Sequence, residues 1–396
     1  MNRNLILLAL AQGLFLTNNV TFIAINGLVG LSLAPAAWMA TLPVMGYVVG
    51  GALSTGLVAK TQQRYGRKIS FQLGLLIALL SAGLGAVAVM VQSFWLLVGA
   101  TVVAGYYSAN GQLYRFAAAE LSAPTFREKA VSLVMAGGLM GAIVGPNLAM
   151  WTRNGLSKPF AGAYVALVLV AMLSMLVMAF IRFPPLVQKQ VGASVGRPLS
   201  EIVRQPVFIV STLAAALGYG VMNLLMAATP LAMQVCGLSF ENTALVLEWH
   251  VIGMFAPGFF TGALIQRFGA LRIMGVGVLL NAGCIVVALS GVELHQFVVA
   301  LFLLGVGWNF LFTGSTTLSL QTYAPEEKDR AQAFINFFVF ATMAVTSFAS
   351  GALVTTQGWS FLNWGSVVPL ALTGAALVWL QRHQAAAYPK RPLLNK

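Results

Sequence analysis

GLVAKTQQRYGRK, residues 56–68, decides how the rest of the chain is read. Lys60, Arg64, Arg67 and Lys68 crowd together between two long apolar runs. The chain is 59% hydrophobic and 8% charged, with a mean hydropathy of +0.86. A basic cluster of this kind cannot sit in hydrocarbon, so it reads as a short loop on one face of a bilayer. Gln63-Arg64-Tyr65-Gly66 returns 203 residues later as Gln266-Arg267-Phe268-Gly269, which implies two halves built alike.

Working outward, the composition excludes an ordinary soluble domain, which runs at about 45–50% apolar and about 25% charged. A membrane helix needs about 20 apolar residues, so twelve fit within the 396 residues if the loops are short. The net charge of +13 is spread over those loops rather than gathered on one soluble face, so no nucleic-acid partner is implied. Cys236 and Cys284 lie far apart and require no disulfide. The first apolar run, from Leu5, lacks a small-residue cleavage site and reads as a full span rather than a signal peptide.

Hydropathy places spans 1–6 at about 5–28, 36–59, 69–91, 94–117, 130–151 and 160–182, and spans 7–12 at about 207–233, 243–265, 272–291, 296–320, 331–355 and 361–381. Every Lys and Arg except Arg153 and Lys158 then falls on the side of the 56–68 loop. That bias puts the loop and both termini in the cytoplasm. Residues 183–206, punctuated by Pro184, Pro185, Pro198 and Pro206, read as a cytoplasmic linker. It separates an N-terminal six-helix bundle (1–182) from a C-terminal one (207–396). Part of the linker, near Leu199–Arg204, reads either as a short interfacial helix or as plain connector. A second repeat supports the halves: Ala123-Pro124 and Arg127-Glu128-Lys129-Ala130 align with Ala324-Pro325 and Lys328-Asp329-Arg330-Ala331 at an offset of 201. Asn19 aligns with Asn223 at an offset of 204. Parallel repeats of this type are a known transporter architecture.

With this layout the whole chain resembles the major facilitator superfamily. Arg64-Tyr65-Gly66-Arg67-Lys68 resembles part of the family's G-x-x-x-D-R-x-G-R-[KR] signature, and Arg267-Phe268-Gly269 is its second-half counterpart. Gly137, Gly141 and Gly145-Pro146 in span 5 resemble the glycine-proline motif of drug–proton antiporters. The resemblance implies an all-α membrane protein with twelve transmembrane helices in two pseudo-symmetric six-helix bundles. It also implies gating roles for Arg64, Gly66, Arg67 and Arg267. Two departures stand out. Gln63 replaces the signature Asp, so a latch between the halves must rest on Gln hydrogen bonds or on acids such as Glu120 or Glu128. Thr101 or a neighbour stands where span 4 usually carries an Arg.

In span 5, the four-residue spacing of Gly137, Gly141 and Gly145 permits close helix approach, and Pro146 permits a bend. The stripe reads either as a hinge or sliding surface at the seam between the halves, or as tight packing. Buried amides in spans must find partners. Asn18 and Asn19 in span 1 and Asn223 in span 7 should therefore face inward. The resemblance has spans 1, 4, 7 and 10 line a central cavity, to which span 4 offers Tyr106, Tyr107, Asn110, Gln112 and Tyr114 and span 10 offers Trp308, Asn309, Thr313 and Thr316. Such a cavity suits a largely uncharged or delocalised molecule with flat, hydrogen-bonding parts; helix–helix bonding is the plainer use of the same residues. Glu248, an acid inside span 8, is the candidate proton-coupling residue, the alternative being contact with outer water or pairing with Arg153 or Lys158. Arg115 reads as reaching the surface or pairing with Glu120, with binding of an anionic substrate group as the other reading.

No GxxxxGK[ST] loop is present to use ATP, and no HExxH. His250, His295 and His383 are scattered, so neither an enzyme nor a metal or other cofactor is expected. A channel lacks its ring of pore-lining charges. The expectation is a monomeric secondary transporter whose partners are the lipid bilayer, a small organic substrate and protons. Proton-coupled export leads, with uptake or facilitated diffusion of a nutrient such as a vitamin as the alternative.

Overall fold

The computed structural model describes residues 2–36, 39, 42–184 and 196–387. The side chain of Pro146 lies outside the described residues. Span 1 is the helix Arg3–Leu33, opened by Asn2, whose Oδ1 accepts from the Leu5 N–H at 2.9 Å. The 49-residue helix Leu42–Met90 then reverses at Gly66 (φ 81, ψ 173) and supplies spans 2 and 3. The stretch 56–68 is therefore no extended loop. Its charged residues ride on two helix ends that meet at one glycine, because only a residue without a Cβ adopts that backbone cheaply. The second half repeats the device. Gly269 (φ 86, ψ 150) joins the last segment of span 8 to span 9, Ala270–Ser290. Arg64 lies against Tyr65 at 5.3 Å and Arg267 against Phe268 at 5.2 Å, so the repeat holds down to side chains.

Three spans are interrupted. Span 4 is Phe94–Gly111 and Tyr114–Glu120, span 5 is Arg127–Ala136 and Leu139–Thr152, and span 8 is Phe240–Phe255 and Gly258–Phe268. Span 8 breaks at Pro257, which lacks an N–H, and span 5 at the pair Gly137–Gly138. The bend expected at Pro146 is thus found earlier, and the helix runs unbroken past residue 146. The remaining spans are Ala161–Ala179, Pro206–Val235, Leu294–Ser319, Lys328–Thr356 and Gly358–Ala387. A short helix, Leu199–Ile202, sits in the linker. Ten described helices are long and apolar enough to cross a membrane. The Gly66 reversal divides one of them, and Phe94–Gly111 makes the twelfth span.

The outside of the bundle is apolar: Leu53, Leu279, Val286 and Leu169 are all exposed by more than 60%. Lipid explains that surface, which water would penalise. Asn2 and Asn4 donate to the carbonyls of Leu121 and Arg182, and Lys68 to that of Ala179. Leu380 near the other terminus packs with Val210 and Ile265. Both described ends of the chain therefore lie at the same, basic end of the bundle.

Candidate functional site

At the basic end the halves are locked together. Arg67 is buried; its guanidinium donates to Glu120 Oε1 at 2.6 Å, to Gln332 Oε1 at 2.7 Å and to Gln62 Oε1. Asp329 lies 4.0 Å away. Lys328 of the second half donates to Glu120 Oε2 at 2.9 Å. The latch thus uses Glu120 and two glutamines, of which Gln332 lay outside the sequence motif. Gln63, in place of the family Asp, is exposed, as are Arg64 and Arg267. Beside the latch, spans 5 and 8 meet backbone to backbone. A Cβ on Gly258 would lie 2.8 Å from the Ser132 carbonyl oxygen, and one on Gly262 2.6 Å from that of Glu128. Gln266 donates to Thr125 O at 2.8 Å and Glu128 Oε2 at 3.3 Å across the same seam. Gly141 and Gly145, by contrast, face span 1 of their own half, with a Cβ on Gly141 2.6 Å from the Leu16 backbone and one on Gly145 3.1 Å from Val20. The seam belongs to the span 8 glycines.

Above the latch, a cavity opens between the halves where the breaks in spans 4, 5 and 8 converge. Gln112, Met135 and Phe255, beside those breaks, line it with Gln12, Phe15, Arg115, Tyr219, Trp308 and Phe312. Trp308 stacks on Phe312, one helical turn on, at 4.9 Å and 20°. Tyr219 meets both rings edge-on at 5.4 and 5.2 Å, and Phe255 meets Trp308 at 5.8 Å. These distances are those of favourable aromatic pairs. The free space holds about one water molecule, so a substrate must part the rings to enter.

Arg115 does not reach the surface or pair with Glu120. It is 2% exposed, donates from Nη2 to Asn336 Oδ1 at 3.0 Å, and lies 3.8 Å from the Phe312 centroid. Arg115 lies just past a tightened turn at Gln112–Leu113, where both residues stay right-handed and the Leu113 N–H bonds Asn110 O at 3.0 Å.

Of the residues expected to line the cavity, Gln112 and Trp308 do. Asn18 donates to Leu167 O at 3.4 Å and Asn19 to Tyr47 Oη at 3.0 Å. Asn110 accepts from Ser70 Oγ, while Tyr114 packs on Phe71 at 4.8 Å and Tyr107 on Phe15 at 5.2 Å. Asn223 bonds Thr346 and Ser347 of span 11, and Asn309 bonds Thr261 and the Met254 carbonyl of span 8. In this conformation these side chains tie helices to one another. Glu248 is exposed and makes no ion pair with Arg153 or Lys158. It shares a face of span 8 with Phe255, two turns or about 10 Å farther from the basic end. His250, on a different face, is buried with Nδ1 2.7 Å from Leu301 O. Phe312, Tyr219, Phe255 and Gln12 had no motif to mark them. Two of them sit four residues from a marked position, Phe312 from Trp308 and Tyr219 from Asn223.

Residues 5–256 and 244–394 match the Major Facilitator Superfamily model. Over 388 residues, 97% of each chain, the sequence is 37% identical to the riboflavin transporter RfnT of Brucella anthropi. It is 25% identical over 393 residues to YddS of Bacillus subtilis, an uncharacterised MFS-type transporter, covering 92% of this chain and 88% of that one. The crystal structure of the human organic anion transporter MFSD10 superposes with a TM-score of 0.77 over 95% of this chain and 99% of that one, at 16% identity. That likeness is one of fold.

Proposed function

We propose that this chain, which belongs to the major facilitator superfamily, carries riboflavin or a closely related flat heterocycle across a bacterial inner membrane by alternating access. It is a multi-pass membrane transporter of a small molecule and not an enzyme. The observation that carries the finer reading is the box of Trp308, Phe312, Tyr219 and Phe255 between the halves, in a chain 37% identical to a riboflavin transporter. Stacked rings suit a flat aromatic substrate, and base-type stacking contributes about 1–3 kcal/mol. The basic end, with its latch, is the cytoplasmic end in this reading, supported by the Lys and Arg bias. Asn18, Asn19, Tyr107, Asn110, Tyr114, Asn223 and Asn309 brace the helices that present the rings.

The test is riboflavin binding and exchange by the purified protein in proteoliposomes. Riboflavin should raise the melting temperature and exchange across the membrane, and Trp308→Ala should weaken binding about tenfold or more. No binding by the wild type would end this reading. The same titration on Asn19→Ala and Asn223→Ala should leave affinity within about threefold; a larger loss would move those amides into the binding site.

A second reading, proton-driven export, rests on Glu248, an exposed carboxylate on the span 8 face that also carries Phe255. Under it, Glu248→Gln abolishes proton-driven flux and spares exchange. Unchanged driven flux would leave Glu248 without a coupling role.

A further inference from the structure

Two residues that line the cavity carry hydrogen-bond donors that no group among the described residues accepts. Arg115 is committed to Asn336 through Nη2 alone, and its Nε and Nη1 have no partner. Trp308, in the same lining and 2% exposed, leaves Nε1 unpartnered. Among the described residues, no carboxylate lines the cavity. The nearby acid on the same helix segment, Glu120, is held by Arg67 and Lys328. Buried donors are nearly always bonded, and a buried charge without a counter-group is costly. Three unsatisfied N–H-bearing atoms and one positive charge, carried by two residues that line a single cavity, suit a ligand rich in acceptors.

We propose that Arg115 and Trp308 read ring carbonyls on the edge of the substrate, so that the transported class is a fused flat heterocycle bearing a cyclic imide. This rests on the cavity being the substrate site, as above. The rings supply stacking to any flat molecule, whereas the donors reject one whose edge offers nothing to accept them. A site built to bond a polar group discriminates strongly against an analogue that lacks it. Arg115 is also the contact from the first half onto Phe312 and Asn336 of the second. A carbonyl held there is felt by both halves at once.

The experiment titrates three probes into the full-length protein by calorimetry: riboflavin, lumichrome (the same imide-bearing rings without the sugar chain) and phenazine (three flat rings without a carbonyl). It compares the wild type with Arg115→Gln, Arg115→Lys and Trp308→Phe, and records the unliganded melting temperature of each. Wild type should bind riboflavin and lumichrome at least tenfold more tightly than phenazine. Arg115→Gln should lose about ten- to a hundredfold for both flavin probes, leave phenazine unchanged, and melt no lower than wild type without ligand. Arg115→Lys should fall between, since an ammonium keeps the charge but not the planar donors. Trp308→Phe should lose a smaller factor for the flavin probes only. Equal binding of phenazine by the wild type, or full flavin affinity in Arg115→Gln, overturns the inference while the ring-lined site stands. A lowered unliganded melting temperature with parallel loss of all three probes makes Arg115 structural and overturns it too. Failure of the wild type to bind any probe removes the flavin reading itself.

Discussion

Lys328→Gln should loosen the closed basic end without unfolding either half. Lys328 belongs to the second half and Glu120 to the first, and their 2.9 Å bond crosses the seam. Arg67 keeps its bond to Glu120 within the first half, so the buried ion pair survives the change. A charge-assisted hydrogen bond contributes about 1.5–3 kcal/mol when well buried. Here the two side chains are 27% and 19% exposed, and solvent screening brings the expectation to about 1 kcal/mol. That corresponds to about a fivefold shift in the closed-to-open ratio at this end. Spin labels on Tyr65 and Phe268, exposed at the tips of the two halves, report the separation after Cys236, itself exposed, is replaced by Ser. The open population should rise about fivefold in Lys328→Gln, and Lys328→Gln should add no further shift in a Glu120→Gln background. An unchanged distance distribution, or the same shift in a background already lacking the Glu120 charge, would refute a latch carried by this pair.

Two further outcomes follow from the geometry. Gly262→Ala puts a methyl 2.6 Å from the Glu128 carbonyl oxygen, so the halves should no longer close and exchange should drop at least tenfold, whereas Gly275→Ala, with open space around it, should transport normally; normal exchange by the Gly262 variant would mean the seam is not a closing surface. Glu327 accepts from the Arg197 backbone and guanidinium, which holds its carboxyl at about 2 against an ordinary 4.5. A depressed carboxylate contributes stability above its unfolded value and loses it as pH falls through its folded one. The melting-temperature difference between wild type and Glu327→Gln should therefore be constant above about pH 4.5 and shrink toward pH 2; a difference independent of pH would refute the pairing.

Much of the fold was legible because hydrocarbon imposes long apolar runs and strands every charge at an end. The repeat at Gly66 and Gly269 could be read for the same reason: a one-residue reversal demands glycine, so the residue type reports the backbone. The site was harder. An amide in a span announces only that it needs a partner, and Asn110 finds Ser70 as readily as a substrate. Arg115 looked like a surface residue because its burial comes from Asn336 and Phe312 of the other half, which hydropathy along span 4 does not register. Apolar Phe312, Tyr219 and Phe255 were invisible among 25 phenylalanines and 9 tyrosines until their spacing in three dimensions brought them to one place.

The single-residue joints at Gly66 and Gly269 carry a mechanical consequence. A connection with no slack cannot absorb relative sliding, so spans 2 and 3, and the segment Gly258–Phe268 with span 9, must keep their register at the basic end. Arg67 is the residue that follows the first joint. Releasing its guanidinium would therefore shift two membrane spans together at that end.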